Sequence, residues 1–255
     1  MFEIYKCFVE KTFKMSDFCR TFVSIMVKTD IMIKNILFDW GGVLIHLDKH
    51  RCTEAFARLG VEVSDELTNP YGQRADLKDF ERGTMSVEEF HDTVRRIYAP
   101  GLTDEQIDEA WNALLLDIPA YKLDMLLSLK ERYRLFLLSN TNAVHWEEGR
   151  KLFDYQGHKA EDYFEKIFLS HEIHELKPTP EAFLKVAQLA GIKPEETLFI
   201  DDLQASCDAA EALGFHTYCP KANSDWRSEL KIVSLLSLLC IVQHLILHSP
   251  FAILH

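Results

Sequence analysis

Six polar residues stand where this chain could gather them into a reactive site. Asp39 closes the apolar run "NILFDW", Ser139 and Asn140 close "YRLFLLSN", and Asp201 and Asp202 close "ETLFIDD". Lys177 lies in "ELKPTPEAF", where Pro178 and Pro180 restrict the backbone. Brought together, the carboxylates offer oxygens suited to a hard cation such as Mg²⁺. The Ser139 hydroxyl, the Asn140 amide and the Lys177 ammonium would supply donors to an anion. Gly41 and Gly42 let the backbone turn at once and approach a ligand closely. The chemistry open to such a set is phosphoryl transfer, with Asp39 attacking phosphorus. Each residue alone has an ordinary use: an aspartate caps a helix, Ser-Asn makes a turn, a lone lysine is solvated. Their occurrence together, in order and at strand ends, carries the functional reading.

The elements that must position them follow from hydrophobic periodicity. "KNILFDW" reads as a buried strand, and residues 49 to 130 read as successive helices. Ser86 with Glu89, and Thr103 with Gln106, have the spacing of capping boxes. Strands are predicted over 133–140, 165–170, 196–202 and 215–220, with helices near 144–153, 179–191 and 204–213. Strands alternating with helices imply an α/β fold, a doubly wound parallel Rossmann-like sheet. The helical block after the first strand implies an inserted helical cap domain. The expected organisation is an N-terminal extension over 1–31, a core over 32–48 and 131–230, a cap over 49–130, and an apolar tail over 231–255. Ligands of such sheets bind at the carboxyl ends of the strands, where five of the six residues lie; Lys177 falls in the loop before the next helix.

Bulk properties narrow the partners. A net charge of −12 excludes a non-specific nucleic-acid binder, which needs a basic face. A small anionic substrate remains compatible, because a phosphate site is local. Six scattered cysteines without a CxxC pair read as free thiols in a reducing cytoplasm. The apolar stretch Ile232 to Leu247 has 16 residues and contains Gln243 and His244. A spanning helix needs about 20 apolar residues, so a packed segment is the expectation. Met32 stands just before the first strand, and a start there would leave the core intact. A monomer and a homodimer are equally compatible with the sequence.

The four ordered motifs, "ILFDWGGVL", "LLSNTN", the lysine of "ELKPTPEAF", and "TLFIDD", resemble those of the haloacid-dehalogenase-like (HAD) hydrolases over about residues 33 to 228. "FERGTMSVEEF" and "SNTNAVH" look like the branch containing α-D-glucose-1-phosphate phosphatases and the phosphatase domain of soluble epoxide hydrolases. The resemblance implies an Mg²⁺-dependent phosphatase acting on a small phosphorylated metabolite. It implies that Asp39 is the nucleophile, and that Asp39, the Gly41 carbonyl and Asp202 hold Mg²⁺, with Asp201 nearby. Ser139, Asn140 and Lys177 would bind the phosphoryl group. Asn142 and His145, and Arg82, Trp111 and Asn112 in the cap, are candidates for contact with the rest of the substrate.

The pattern departs from the family at one place. Most family phosphatases carry a second aspartate two residues after the nucleophile, and here that position is Gly41. General acid–base help is worth about 10²–10⁴-fold, so the change bears on substrate choice. One reading is a phosphatase for an ester with a good leaving group, such as a sugar 1-phosphate, with Asp48, His46 or a cap residue as acid. A second is cleavage of a carbon–phosphorus bond, with Lys49 or Lys78 forming a Schiff base, or of a carbon–halogen bond. A third is a regulatory protein that binds a phospho-ligand without turnover.

Overall fold

The computed structural model describes residues 33–61, 75–98 and 100–227. The expected extension over 1–31, the tail over 231–255 and the possible start at Met32 lie outside the described residues. The compact unit that holds the six residues runs Ile33–Ser224.

Five strands form one parallel sheet: β1 (Asn35–Phe38), β2 (Arg134–Ser139), β3 (Lys166–Leu169), β4 (Thr197–Ile200) and β5 (His216–Tyr218), in the order β3-β2-β1-β4-β5. β1 is central and buried throughout, as its unbroken apolar run requires in a sheet covered on both faces. Phe38 is level with Leu137 of β2 and Ile200 of β4. That register sets the residues just past β1 and β4, Asp39 and Asp201, side by side. One sheet face packs Leu37, Phe136, Leu138, Phe168, Phe183 and Phe199 into a single core.

Among the described residues five helices separate β1 from β2: α1 (Lys49–Arg58), α2 (Ala75–Arg82), α3 (Val87–Ile97), α4 (Asp104–Asn112) and α5 (Ala120–Lys130). Both predicted capping boxes are present, and Asp48 caps α1 by accepting from the His50 N–H. α1 to α4 enclose their own core of Phe56, Phe80, Phe90, Ile107 and Trp111. α5 packs instead on β2. Beyond β2 come α6 (Ala143–Gly149), a 3₁₀ turn (Arg150–Phe153), α7 (Ala160–Tyr163), α8 (Ser170–Ile173), α9 (Pro180–Ala190) and α10 (Gln204–Ala212). The helix predicted near 144–153 therefore tightens into 3₁₀ geometry for its last turn. The short α7 and α8 carry too little periodicity to show in sequence.

Two contacts tie the cap to the core. Gly83 follows α2 and lies so close to α8 that a Cβ there would sit 2.0 Å from the His171 carbonyl oxygen. On the other side, α4 packs against α6. Gly149, closing α6, lies over Trp40, and a Cβ there would come within 2.3 Å of the indole. Trp40 is itself buried and meets Trp146 edge-on at 5.4 Å. Gly149→Ala must displace the residue next to Asp39. We expect it to destabilise the protein by about 1–3 kcal/mol in denaturant unfolding and to lower activity with it; an unchanged midpoint would show that the Trp40 packing yields freely.

Candidate active site

The nearly buried Lys177 ammonium joins the carboxylates. Its Nζ lies 2.7 Å from Asp39 Oδ1 and 2.6 Å from Asp201 Oδ2. Each partner is held in turn. Asp201, fully buried, accepts from the Leu203 N–H at 2.8 Å through its other oxygen. Lys177 is fixed through its backbone: its N–H donates to Asn140 Oδ1 at 2.9 Å, and Asn140 Nδ2 donates to its carbonyl at 2.8 Å. The sequence pointed to the Asn140 backbone amide. The side chain has a further task, positioning the lysine, which no local pattern could reveal across 37 residues.

Asp39, Asp201 and Asp202 bring one oxygen each within 4.8 Å of one another. Three carboxylates against one ammonium leave excess negative charge in a poorly hydrated place. Burial pushes Asp39 up to about 7, Lys177 opposes, and Asp201 and Asp202 add to the rise. Burial, then Asp201, raise Asp202 to about 6. For Lys177 burial alone would favour the neutral amine, but Asp201 and Asp39 outweigh it and hold the ammonium charged, above the usual lysine range.

The turn after Asp39 adds one more oxygen. The Trp40 carbonyl accepts from Leu44 and Ile45, the Gly42 carbonyl from Asn223, and the Val43 carbonyl from Lys122. Among the described hydrogen bonds the Gly41 carbonyl accepts none. Gly42, at φ +72°, abuts Asp202 so closely that a Cβ would lie 2.7 Å from Oδ2. Asp39, Asp201 and Asp202 cluster, and the Gly41 carbonyl two residues past Asp39 is a further oxygen available in the turn; such an all-oxygen set with surplus negative charge fits Mg²⁺. Ser139 is buried at the end of β2, and its hydroxyl makes only a 3.5 Å contact with the Asn140 carbonyl. It keeps its capacity for an anion.

The substrate candidates fare differently. Asn142 is fully buried and caps α6 by accepting from the His145 N–H. His145 uses both ring nitrogens, Nδ1 toward Asn142 Nδ2 and Nε2 toward the Trp111 carbonyl, each at 3.1 Å. Its ring stacks on Trp111 at 4.9 Å. Burial lowers His145 to about 4, so it is a neutral bolt between cap and core. Asn142 and His145, candidates for substrate contact, thus spend these hydrogen bonds on each other and on Trp111. Trp111 is buried beneath that ring. Arg82 is exposed, and its carbonyl accepts from His174. Asn112 closes α4 beside a groove of about 610 Å³ lined by Glu105, Asp108 and Glu148. Among the described interactions none joins Arg82 or Asn112 to the Asp39 cluster.

Of the alternative acids, Asp48 caps α1, and His46 Nδ1 faces Asp117 at 3.2 Å. Lys78 is exposed. Lys49, the other Schiff-base candidate, interacts through its charge with Asp202. Burial lowers its pKa and Asp202 opposes that shift. Only the fold brings α1 to the mouth of the site.

A parallel sheet of this order, with carboxylates and a lysine converging past its central strands, defines a hydrolase that handles an anionic group beside a cation. The family model for haloacid dehalogenase-like hydrolases matches residues 33–214, and the chain belongs to that family. D-ribitol-5-phosphate phosphatase of Bacteroides thetaiotaomicron is 34% identical over 204 residues, 79% of this chain and 98% of the relative. The solved HAD family enzyme bt-2542 of the same organism, in complex with magnesium and inorganic phosphate, is 47% identical, with TM-score 0.73 over 77% of this chain and 98% of that one. A HAD-like hydrolase of Porphyromonas gingivalis is 39% identical, with TM-score 0.73 over 80% and 98%. The protein is a HAD hydrolase, and its carboxylate cluster fits the magnesium that the bt-2542 complex contains.

The raised carboxylates set a pH dependence. A carboxyl held above its unfolded value stabilises the fold at low pH, and that stability is lost as pH rises through 6 and 7 for Asp202 and Asp39. Protons therefore compete with Mg²⁺. We expect the metal-free melting temperature to fall, and the Mg²⁺ concentration giving half its thermal shift to fall, between about pH 5 and 8. A pH-independent half-saturation would contradict this electrostatic account.

Proposed function

We propose that this enzyme hydrolyses a small phosphorylated sugar alcohol through an aspartyl-phosphate on Asp39. The observation that carries the reading is the bridge from Asp39 through Lys177 to Asp201, beside Asp202 and the unpaired Gly41 carbonyl. In this reading Asp39, Asp202 and the Gly41 carbonyl hold Mg²⁺. When bound, the metal offsets the charge that keeps a phosphate dianion away from a carboxylate.

The other roles belong to the chain itself. Asp39 Oδ attacks phosphorus as the ester oxygen departs. Lys177 neutralises charge on the phosphoryl oxygens and keeps Asp39 aligned. Ser139 and the Asn140 amide donate to the same oxygens. Asp201 orients Lys177. The cap, bolted at His145 and Ser170, limits water at the site. A division into core over 32–48 and 131–230 and cap over 49–130 belongs to this proposal, with α5 serving the sheet. So do a cytoplasmic setting and a monomeric or homodimeric state. Among the described residues no helix is long and apolar enough to cross a membrane.

The named substrate of the ribitol phosphatase relative supports a polyol 5-phosphate. Its ester oxygen belongs to a primary alcohol, a poor leaving group. The expectation of a sugar 1-phosphate, based on an easier leaving group, gains no support from that relative. Carbon–phosphorus or carbon–halogen cleavage and binding without turnover have no observation in their favour.

A panel of D-ribitol 5-phosphate, α-D-glucose 1-phosphate and simple alkyl phosphates, assayed with Mg²⁺, tests the proposal. D-Ribitol 5-phosphate should give the highest kcat/KM, and Asp39→Asn should lower it by about 10³-fold or more. If wild type and Asp39→Asn release phosphate equally slowly from every member, Asp39 is not the nucleophile. If the 1-phosphate is preferred, the polyol assignment falls and the leaving-group argument returns.

A further inference from the structure

α5 contains a lysine that the reaction does not call for. Lys122 is 1% exposed, among the buried Leu123 and Leu126. Its Nζ donates to the Val43 carbonyl at 2.7 Å. Withdrawing an ammonium from water is expensive unless it is well bonded, and an apolar residue would pack α5 on β2 without that expense. The bond to Val43 gains its interest from the segment to which Val43 belongs.

Val43 lies in the turn that carries the nucleophile into the cap. Within that turn the Trp40 carbonyl accepts from Leu44 and Ile45 at 2.9 Å each, and the Gly42 N–H donates to Ile45 at 2.9 Å. Asn223 clamps it from the solvent side. The Asn223 N–H donates to the Gly42 carbonyl at 2.7 Å, its Nδ2 donates to the Leu47 carbonyl, and its Oδ1 accepts from the Leu47 N–H, both at 3.0 Å. Lys122 takes the Val43 carbonyl from within the fold. The mesh leaves the Gly41 carbonyl unclaimed and presses Gly42 against Asp202, with no room for a methyl group. A small shift of this turn would move two members of the donor set together.

We propose that Lys122 is a positioning residue: its ammonium, with Asn223 opposite, clamps the Trp40–Leu47 turn and so fixes the Gly41 carbonyl relative to Asp202. The proposal rests on the reading that Gly41 and Asp202 hold Mg²⁺. Groups that orient metal ligands from behind typically change metal affinity by about 10–100-fold when removed. Lys122 acts in this way through the backbone rather than through a ligand side chain.

The test is an Mg²⁺ titration of thermal unfolding without substrate, alongside kcat and KM at saturating Mg²⁺. Lys122→Gln should raise the Mg²⁺ concentration for half the thermal shift by about 10-fold, while KM at saturating metal stays near wild type. Lys122→Arg, which keeps the charge and the donors, should recover most of the loss. Asn223→Gly removes the side-chain half of the other clamp, the two bonds to Leu47, and keeps the backbone N–H on Gly42 and the positive φ of 59°; it should shift Mg²⁺ dependence in the same direction, by less than Lys122→Gln. A Lys122→Gln protein that melts earlier but keeps wild-type Mg²⁺ half-saturation would make Lys122 a packing residue only and overturn the proposal. If Lys122→Gln does not fold, an unchanged half-saturation in Asn223→Gly overturns the clamp. Asp202→Asn serves as reference: should wild type and Asp202→Asn respond identically to Mg²⁺, the metal-site reading fails, and not the clamp alone.

Discussion

The Lys177 ammonium between Asp39 and Asp201 is the interaction on which the site depends. A charge this deep survives only with partners in good geometry. The protein supplies them by register, because parallel pairing of β1 with β4 sets Asp39 and Asp201 side by side. The lysine arrives from the loop before α9 and is held by the paired hydrogen bonds with Asn140. Asp202 adds a further negative charge, and the surplus makes a divalent cation the natural complement of the cluster.

Gly41 looks different in the two descriptions. In the sequence it marks the loss of the usual general acid. In the fold it contributes a carbonyl that its neighbours leave unclaimed, while Gly42 permits contact with Asp202 that a side chain would forbid. The glycine pair thus serves close approach of backbone to carboxylate. Among nearby groups, His46 is engaged with Asp117, Asp48 caps a helix, and His145 is neutral and doubly bonded. Lys49, whose charge interacts with Asp202, is the cap residue that the fold adds to this set.

Cap and core meet through specific polar contacts as well as apolar packing. Ser170 joins Thr141, just past Ser139 and Asn140, to the Glu81 carbonyl at the end of α2. His145 joins α6 to Trp111 in α4. Both links start next to the Ser139–Asn140 turn, so cap position and anion-binding geometry are mechanically connected. The expected substrate residues Asn142 and His145 belong to this linkage.

The sequence alone determined the parallel α/β architecture, the inserted helices, both capping boxes and the residues that converge. These are legible because buried strands, helix caps and strand-end polar residues are local patterns. Strand ends ran a residue or two long: Asp39 and Asp201 still donate an N–H to the neighbouring strand, to Ile200 and Tyr218, but lie past the last paired residues. Only the tertiary structure decided which oxygen meets which cation. It showed the Asn140 side chain bracing Lys177, the Asn142–His145 pair turned inward, and Lys49 brought to Asp202. It also put Lys122 beneath the nucleophile's turn, 79 residues from Val43. These are pairings between distant segments, fixed by sheet register and helix packing, and no spacing along the chain encodes them.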